Sequence, residues 1–223
     1  MLDYFGASMW PFNRKNKSKE TQEGNNEFTW LAVGDGNPFD APIMDIRAHA
    51  LNVIATTSSE SVVENFSRSR NSDGREFVGM EPRSLVSLET EITYPHNGAK
   101  LEGIVFKSLE MEVKWDIYAY GEWFYFVRSW SSDLVYKVKY KNTGNSLVLT
   151  QINAEDECTE ETAQDIHSIM LTHALGRVWP FHLPEIMWDA DGKFIALYMF
   201  LSFGSKATIV TKENVFKIQI VQI

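Results

Sequence analysis

The clearest hydrophobic pattern in the chain is the alternation of apolar and polar residues from Leu109 to Ala119. Because successive side chains of a β-strand point to opposite faces of the sheet, this period of two predicts an antiparallel strand with one buried face. The next segment, Trp123–Trp130, is apolar at both parities. It predicts a central strand that is covered on both faces.

Gly121 and Glu122 separate these two strands in the glycine-first form of a two-residue type II′ turn. Such a turn fixes the register of a hairpin, and therefore which side chains meet across it. The predicted pairs are Tyr120–Trp123, Ala119–Phe124, Tyr118–Tyr125, Ile117–Phe126, Asp116–Val127 and Trp115–Arg128. Alternating segments at 134–141 and 147–152 extend the hairpin to a four-stranded meander over about 109–152.

Apolar segments between clusters of turn residues predict further strands. They lie at 28–33, 43–47, 85–94, 186–188, 194–202, 207–210 and 215–223, and the fourth and fifth form a second hairpin around Asp189–Gly192. Apolar residues spaced by three and four positions predict two helices. One spans 59–70, and the other begins after the N-cap Thr159 and ends at Gly176.

These elements predict an α+β fold, in which one or two helices pack on a mostly antiparallel sheet with the meander as its main part. No repeat or internal boundary divides residues 28–223, and we expect them to form a single domain. Residues 13–27 contain no aliphatic or aromatic side chain. We therefore expect residues 1–27 to be a flexible N-terminal leader and linker.

Composition and charge narrow the class of protein. A hydrophobic content of 44% is that of a folded chain, and the longest apolar run reaches only about half of a membrane span. We therefore predict no integral membrane segment.

A single cysteine, Cys158, and the lack of a secretory signal predict a cytoplasmic protein. The net charge of −9 should repel phosphate backbones, which argues against nucleic-acid binding.

Negative charge is concentrated at the start of the second predicted helix, in residues 155–165, which we call the acidic segment. It contains no base and six acids: Glu155, Asp156, Glu157, Glu160, Glu161 and Asp165. Uncompensated repulsion of this kind is typical of a surface that receives a basic partner. The alternatives are a solvated face that only stabilises the helix start, and a metal site.

The motifs of several common enzyme classes are absent from the sequence, including those of phosphate-binding loops, dinucleotide-binding domains and zinc proteases. Cys158 precedes a helix, but the neighbouring acids disfavour its thiolate. His167 and His173 lie about 240° apart around that helix, so they cannot bind one metal ion from it. The sequence therefore predicts no catalytic residue, no metal and no cofactor, and it favours a protein that is not an enzyme.

The leading hypothesis is a non-catalytic protein that binds a basic protein partner through the acidic segment, as immunity proteins and protein inhibitors do. The alternative is a small-ligand-binding protein or an enzyme, with a pocket beside the aromatic hairpin 115–130. Its site residues would share the second face of the hairpin: Asp116, Tyr118, Tyr120, Trp123 and Tyr125. A helix that covered this face would remove the pocket.

Overall fold

The computed structural model describes residues 28–34, 36–83, 85–155 and 157–221. The predicted leader and linker at 1–27, and the last two residues of the strand predicted at 215–223, lie outside the described residues. In chain order the strands are β1 (Trp30–Leu31), β2 (Ile43–Asp45), β3 (Val86–Pro95), β4 (Gly103–Phe106), β5 (Trp115–Tyr120), β6 (Trp123–Arg128), β7 (Leu134–Asn142), β8 (Ser146–Ala154), β9 (Phe181–His182) and β10 (Ile209–Thr211).

The α-helices are α1 (Arg47–Ala50), α2 (Glu60–Ser69), α3 (Glu160–Ile169) and α4 (Gly192–Phe203). A π-helical turn, Met170–Ala174, continues α3. Short 3-10 helices span Arg75–Phe77, Glu185–Met187 and Val215–Lys217. No helix in these described ranges is long and apolar enough to cross a membrane.

The predicted α+β fold is confirmed, with two mostly antiparallel sheets. The larger sheet has six antiparallel strands in the order β3-β8-β7-β6-β5-β4, so the predicted meander forms four adjacent strands of it, β5 to β8. The smaller sheet has the order β1-β2-β10-β9, and its β10 and β9 are parallel. The two predicted helices are confirmed as α2 and as α3 with its π-helical turn.

The register of the central hairpin is confirmed at all six predicted pairs, from Tyr120 opposite Trp123 to Trp115 opposite Arg128. Gly121 has a φ of 62°, as the first position of a type II′ turn requires. Residues 124–127 are buried, as expected for a strand that is covered on both faces. The hairpin therefore holds Trp115 and Arg128 side by side at the end opposite its turn.

The two faces of the larger sheet pack against different parts of the chain. One face contributes side chains such as Ile117, Phe126 and Val138 to the main core, which also contains buried residues of α3, α4 and the smaller sheet. The opposite face contributes to a separate, smaller cluster, formed by Phe77, Tyr118, Tyr120, Tyr125, Val127 and Leu134. The two functional hypotheses therefore concern different faces of the larger sheet. The acidic segment leads into α3, which packs on the main core, whereas the aromatic site lies at the smaller cluster.

The second predicted hairpin is wrong, because residues 194–202 belong to α4 and residues 185–187 form a 3-10 helix. α4 carries apolar residues on nearly every side, so it lacks the spacing of three and four that reveals a helix with one solvated face. Asp191 is the N-cap that starts α4, and its carboxylate accepts a hydrogen bond from the Lys193 backbone N–H at 2.9 Å.

Two other predicted strands are shortened or replaced by turns. The strand predicted at 109–119 begins only at Trp115, because a turn closed by a Val113 N–H to Glu110 carbonyl bond precedes it. Leu109 is 84% exposed as a result. In place of the strand predicted at 215–223, a 3-10 helix forms at Val215–Lys217, and Asn214 caps it by accepting a hydrogen bond from the Phe216 N–H.

Candidate functional site

The acidic segment connects the end of β8 to the first turn of α3. Thr159 begins the helix, and the Thr162 hydroxyl accepts a hydrogen bond from the Thr159 backbone N–H at 3.1 Å. Glu160 and Glu161 lie in the first turn, and both are exposed. The positive end of the helix dipole stabilises carboxylates at this position.

The described acids of this segment have no cationic partner. Before the helix, Glu157 is exposed and Glu155 is half-buried, while Asp156 lies outside the described residues. None of the five described acids forms an ion pair with another described residue. Glu160 accepts a hydrogen bond from the Asn214 side-chain amide at 2.6 Å, which leaves its charge uncompensated.

Asp165 differs from the other acids in its pKa, although its side chain is half-buried like that of Glu155. Burial raises its pKa to about 8, the charge of Glu161 raises it as well, and Arg128 acts in the opposite direction. Asp165 forms no hydrogen bond or ion pair with any described residue. At neutral pH it therefore carries a proton in most molecules, so it adds little to the negative charge of the segment.

Three polar side chains from three other elements lie around Asp165. Arg128 ends β6, Tyr136 lies in β7 and Tyr198 lies in α4, and the charge of Asp165 acts on all three. We call these four residues the Asp165 cluster. Its members come from both helices of the main core and from the larger sheet, so only the folded chain assembles it.

Trp115 and the backbone of Ser202 hold Arg128 in place. The central carbon of the guanidinium lies 4.3 Å from the centroid of the Trp115 ring. The Ser202 carbonyl oxygen accepts hydrogen bonds from Arg128 Nη1 at 2.5 Å and from Trp115 Nε1 at 3.2 Å. The Tyr136 ring stacks on Trp115 as well, with the centroids 5.5 Å apart. The guanidinium is thus directed to a backbone carbonyl and not to Asp165.

The polar groups of the Asp165 cluster are half-buried and still reach solvent. In the described part of the chain, three side-chain nitrogens are sealed from solvent without a partner, and they are His49 Nε2, His173 Nε2 and Trp179 Nε1. The Tyr136 hydroxyl and the Asp165 carboxyl also lack a hydrogen-bond partner, yet neither is among these sealed groups. Solvent therefore reaches both.

The five residues of the alternative site lie together on the second face of the larger sheet, and residues 72–81 cover them. A Cβ atom added to Gly74 would lie 2.3 Å from the Tyr118 ring. Phe77 stacks on the same ring with the centroids 5.7 Å apart. Tyr118 and Asp116 are each only 1% exposed. A small ligand at this face would have to displace Phe77, and its binding there stays a prediction.

Polar contacts attach residues 72–81, which we call the cover, and the end of α2 before them to the larger sheet. Asp116 accepts hydrogen bonds from both terminal nitrogens of Arg70 and from the Ser108 backbone N–H at 2.8 Å. The Tyr120 hydroxyl donates to the Asp73 carbonyl at 2.9 Å. At the other end of the cover, Glu81 pairs with Lys137, whose ammonium lies 4.5 Å from the ring centroid of the half-buried Trp123.

Burial keeps the other candidates for chemistry neutral. It raises the pKa of the Cys158 thiol, so the thiolate is disfavoured. It lowers the pKa of His167 to about 4 and that of His173 to about 3. The His167 ring is bonded through Nδ1 to the Tyr94 hydroxyl at 2.9 Å. Among the described residues, no group of three or more His, Cys, Asp or Glu side chains is placed to hold a metal ion.

Part of the Asp165 cluster has a signal in the sequence. Asp165 belongs to the acidic segment, and the hairpin register pairs Trp115 with Arg128. Tyr136 and Tyr198 are site residues that the sequence does not indicate. Tyr198 lies in residues 194–202, which the sequence predicts to be a strand. A strand at this position would give no reason to expect Tyr198 near α3.

Comparisons of the chain with protein-family models, with curated proteins and with solved structures found no match.

Proposed function

We propose that this protein binds a basic protein partner through the acidic segment and that it is not an enzyme. The observation that carries the proposal is that the four described glutamates of the segment, Glu155, Glu157, Glu160 and Glu161, form no ion pair with the rest of the described chain. A folded protein that exposes like charges without counter-charges gives up stability that a cationic partner would restore.

Helix stabilisation explains only part of the segment. The helix dipole favours Glu160 and Glu161, in the first turn, by about 0.3–1 kcal/mol each. The effect falls off within one turn, and Glu155 lies four residues before the N-cap. A partner with clustered Lys and Arg side chains would bind this surface in a salt-dependent way, and its approach would be accelerated by the opposite charges.

An immunity protein or an inhibitor of a basic enzyme would carry a surface of this kind. Such a protein forms a stoichiometric complex and needs no catalytic group of its own. The single cysteine fits a reducing compartment, so we expect the complex to form in the cytoplasm. Phosphate backbones would be repelled by the same surface, and we expect no nucleic-acid partner.

Affinity purification from the source cell tests the proposal with two charge variants. The first carries Glu157→Lys and Glu161→Lys in the acidic segment. The second carries Glu64→Lys in α2 and Glu122→Lys in the hairpin turn, two exposed positions, and so changes the net charge by the same amount. We expect a basic protein to co-purify with the wild type and with the second variant, and to be lost from the first.

Increasing salt should release the same protein from the wild type. Equal retention of the co-purifying protein by both variants would contradict the proposal, and so would binding that does not weaken between 50 and 500 mM salt. Circular dichroism of the two variants verifies that both remain folded.

A further inference from the structure

One side of α4 is both apolar and exposed. Phe194, Leu197 and Leu201 are 57%, 43% and 62% exposed. Their spacing of three and four positions places them in one row along the helix, and we call this row the α4 stripe. The opposite side of the helix packs in the main core, where Ile195 and Met199 are buried. Because a helix that is apolar on all sides is normally buried on all sides, a covering segment is expected on the α4 stripe.

Phe28, the first described residue after the predicted linker, lies beside the start of α4. A Cβ atom added to Gly192, the first residue of α4, would lie 2.6 Å from the Phe28 Cβ and 3.2 Å from the Phe28 carbonyl oxygen. The Phe28 ring also packs edge-on against His49 of α1, with the centroids 6.2 Å apart, and α1 packs against α4. The linker therefore joins the fold two residues from Phe194, at one end of the α4 stripe.

The sequence before Phe28 combines an apolar leader, residues 1–12, with a polar linker, residues 13–27. In the leader, large apolar residues recur at intervals of three and four, and they are Leu2, Phe5, Met9 and Phe12. The α4 stripe has the same spacing, which is typical of segments that pack on an apolar helix face. The linker carries no aliphatic or aromatic side chain, so the leader is the part of this sequence that suits the stripe.

The linker is long enough for the leader to lie along the α4 stripe. The 12 residues of α4 form a helix of about 18 Å. A polar tether with the length of residues 13–27 typically spans about 20 Å. When the typical span of a tether matches the distance between two sites, the effective concentration is at its highest, in the millimolar range. A weak apolar contact is then sufficient to keep the leader bound.

We infer that the leader binds to the α4 stripe of the same chain. Its large apolar side chains cover the stripe, and the linker connects it to Phe28 beside Gly192. Burial of exposed Phe and Leu side chains on both partners provides the favourable free energy. The contact uses none of the acids of the acidic segment, so it is independent of the proposed basic partner.

Two other occupants fit the α4 stripe less well. Stable association of two copies buries about 800 Å² on each partner. Three Phe and Leu side chains present at most about 600 Å² even when they are fully exposed. A second copy would also compete with a leader that is tethered beside the stripe. A membrane surface that contains anionic lipids would repel a chain with a net charge of −9.

The test places a nitroxide spin label in the leader of the full chain and measures its effect on methyl signals by NMR. Cys158→Ser removes the native thiol, and Ala7→Cys carries the label. A spin label broadens the signals of nearby nuclei. We expect the methyl signals of Leu197 and Leu201 to lose more than half of their intensity relative to the same sample after the label is reduced.

Ile104 of β4 is the reference methyl group. It is 53% exposed and lies opposite Tyr118, on the face of the larger sheet that is turned away from the main core, so its signal should keep its intensity. A matched variant, Phe5→Ser with Phe12→Ser, retains the length of the tether and removes two of the apolar side chains. This variant should restore the signals of both stripe leucines.

Undiminished leucine signals in the labelled chain with its natural leader would overturn the inference. A loss that persists in Phe5→Ser with Phe12→Ser would overturn it too, because the tether alone would then explain the proximity. A mixture of labelled chains with unlabelled, isotope-enriched chains tests for a second copy. An equal loss in that mixture would assign the stripe to another molecule and not to the leader of the same chain.

Binding of the protein to phosphatidylcholine vesicles that Leu197→Ser abolishes would assign the stripe to a membrane and would also overturn the inference. Leu197 is 43% exposed, so this variant should remain folded, and circular dichroism verifies it. The charge variants of the acidic segment test the proposed function separately, and none of the results for the stripe changes their outcome.

Discussion

Arg70 at the end of α2 and Asp116 in β5 form a two-armed ion pair that joins the end of α2 to the larger sheet. Arg70 Nη2 lies 2.5 Å from one carboxylate oxygen of Asp116, and Nη1 lies 3.1 Å from the other. The Asp116 side chain is 1% exposed. The same carboxylate also accepts a hydrogen bond from the Ser108 backbone N–H, so the end of α2 and the segment between β4 and β5 meet at one buried charge.

Removing Arg70 should destabilise the protein strongly, because it leaves the buried carboxylate of Asp116 without its counter-charge. We expect Arg70→Met, which keeps the aliphatic stem, to lower the free energy of unfolding by about 3 kcal/mol in urea denaturation. Arg75→Ala is the control, since its pair with Asp73 is exposed, and it should cost much less. Similar losses in the two variants would contradict the buried pair.

Gly74→Ala should be costly for two reasons, namely its φ of 87° and the Tyr118 ring 2.3 Å from the new Cβ. We expect a loss of about 3 kcal/mol in the free energy of unfolding. Gly79 has a similar φ of 84° with no atom within 4 Å of a new Cβ, so Gly79→Ala should cost only about 1 kcal/mol. The difference between the two substitutions measures the contact with Tyr118, and a difference near zero would disprove that contact.

Replacing Ile195 and Leu197 in turn distinguishes the helix α4 from the strand that the sequence predicts. In a strand the two side chains share a face, whereas in α4 Ile195 is 1% exposed and Leu197 is 43% exposed. We expect Ile195→Ala to cost about 3 kcal/mol and Leu197→Ala less than about 1 kcal/mol in urea denaturation. Equal costs would favour the strand.

Asp165 makes the stability of the protein depend on pH. Its pKa is near 4 in an unfolded chain and about 8 in the folded protein, so the folded state binds the proton more tightly. Its contribution to stability is complete below pH 4 and is lost as the pH rises towards 8 and beyond. Asp165→Asn should therefore raise the free energy of unfolding by about 1–3 kcal/mol at pH 9, after allowance for the solvent that reaches the carboxyl group.

The measurement compares wild type and Asp165→Asn in urea at several pH values between 5 and 9, since the difference isolates this one carboxyl group from all others. The difference should grow steadily with pH over that range. Glu157→Gln provides the baseline, because Glu157 is exposed. A difference that stays constant from pH 5 to pH 9 would mean that Asp165 is not perturbed.

Local chemistry is sufficient to predict the central hairpin. A glycine-first turn between two strong strands leaves one register that buries the apolar face, and that register is observed. The N-cap Thr159 and the acids after it mark the start of α3 in the same local way. These features depend on residues that are close together in the chain, which is why the sequence reveals them.

The elements that the sequence does not predict depend on distant contacts. α4 is apolar all round, and only its neighbours decide which residues are buried, so Tyr198 could not be placed opposite Asp165. The cover at 72–81 is mostly polar, and the positions that matter, Gly74 and Phe77, contact residues more than forty positions away. The sequence indicates an acidic segment but not that the pKa of one of its acids, Asp165, is raised in the folded chain.

The separation of the cover from the main core has a consequence for hydrogen exchange. Phe77 and its neighbours form their own small cluster, which shares no buried residue with the main core. Residues 72–81 can therefore detach while the main core remains packed, at a lower free energy than global unfolding. Their amide protons should exchange through this local opening, whereas the amides of β6 and β7 exchange only when the whole sheet unfolds. We therefore expect one face of the sheet to stay covered and the other to be uncovered transiently.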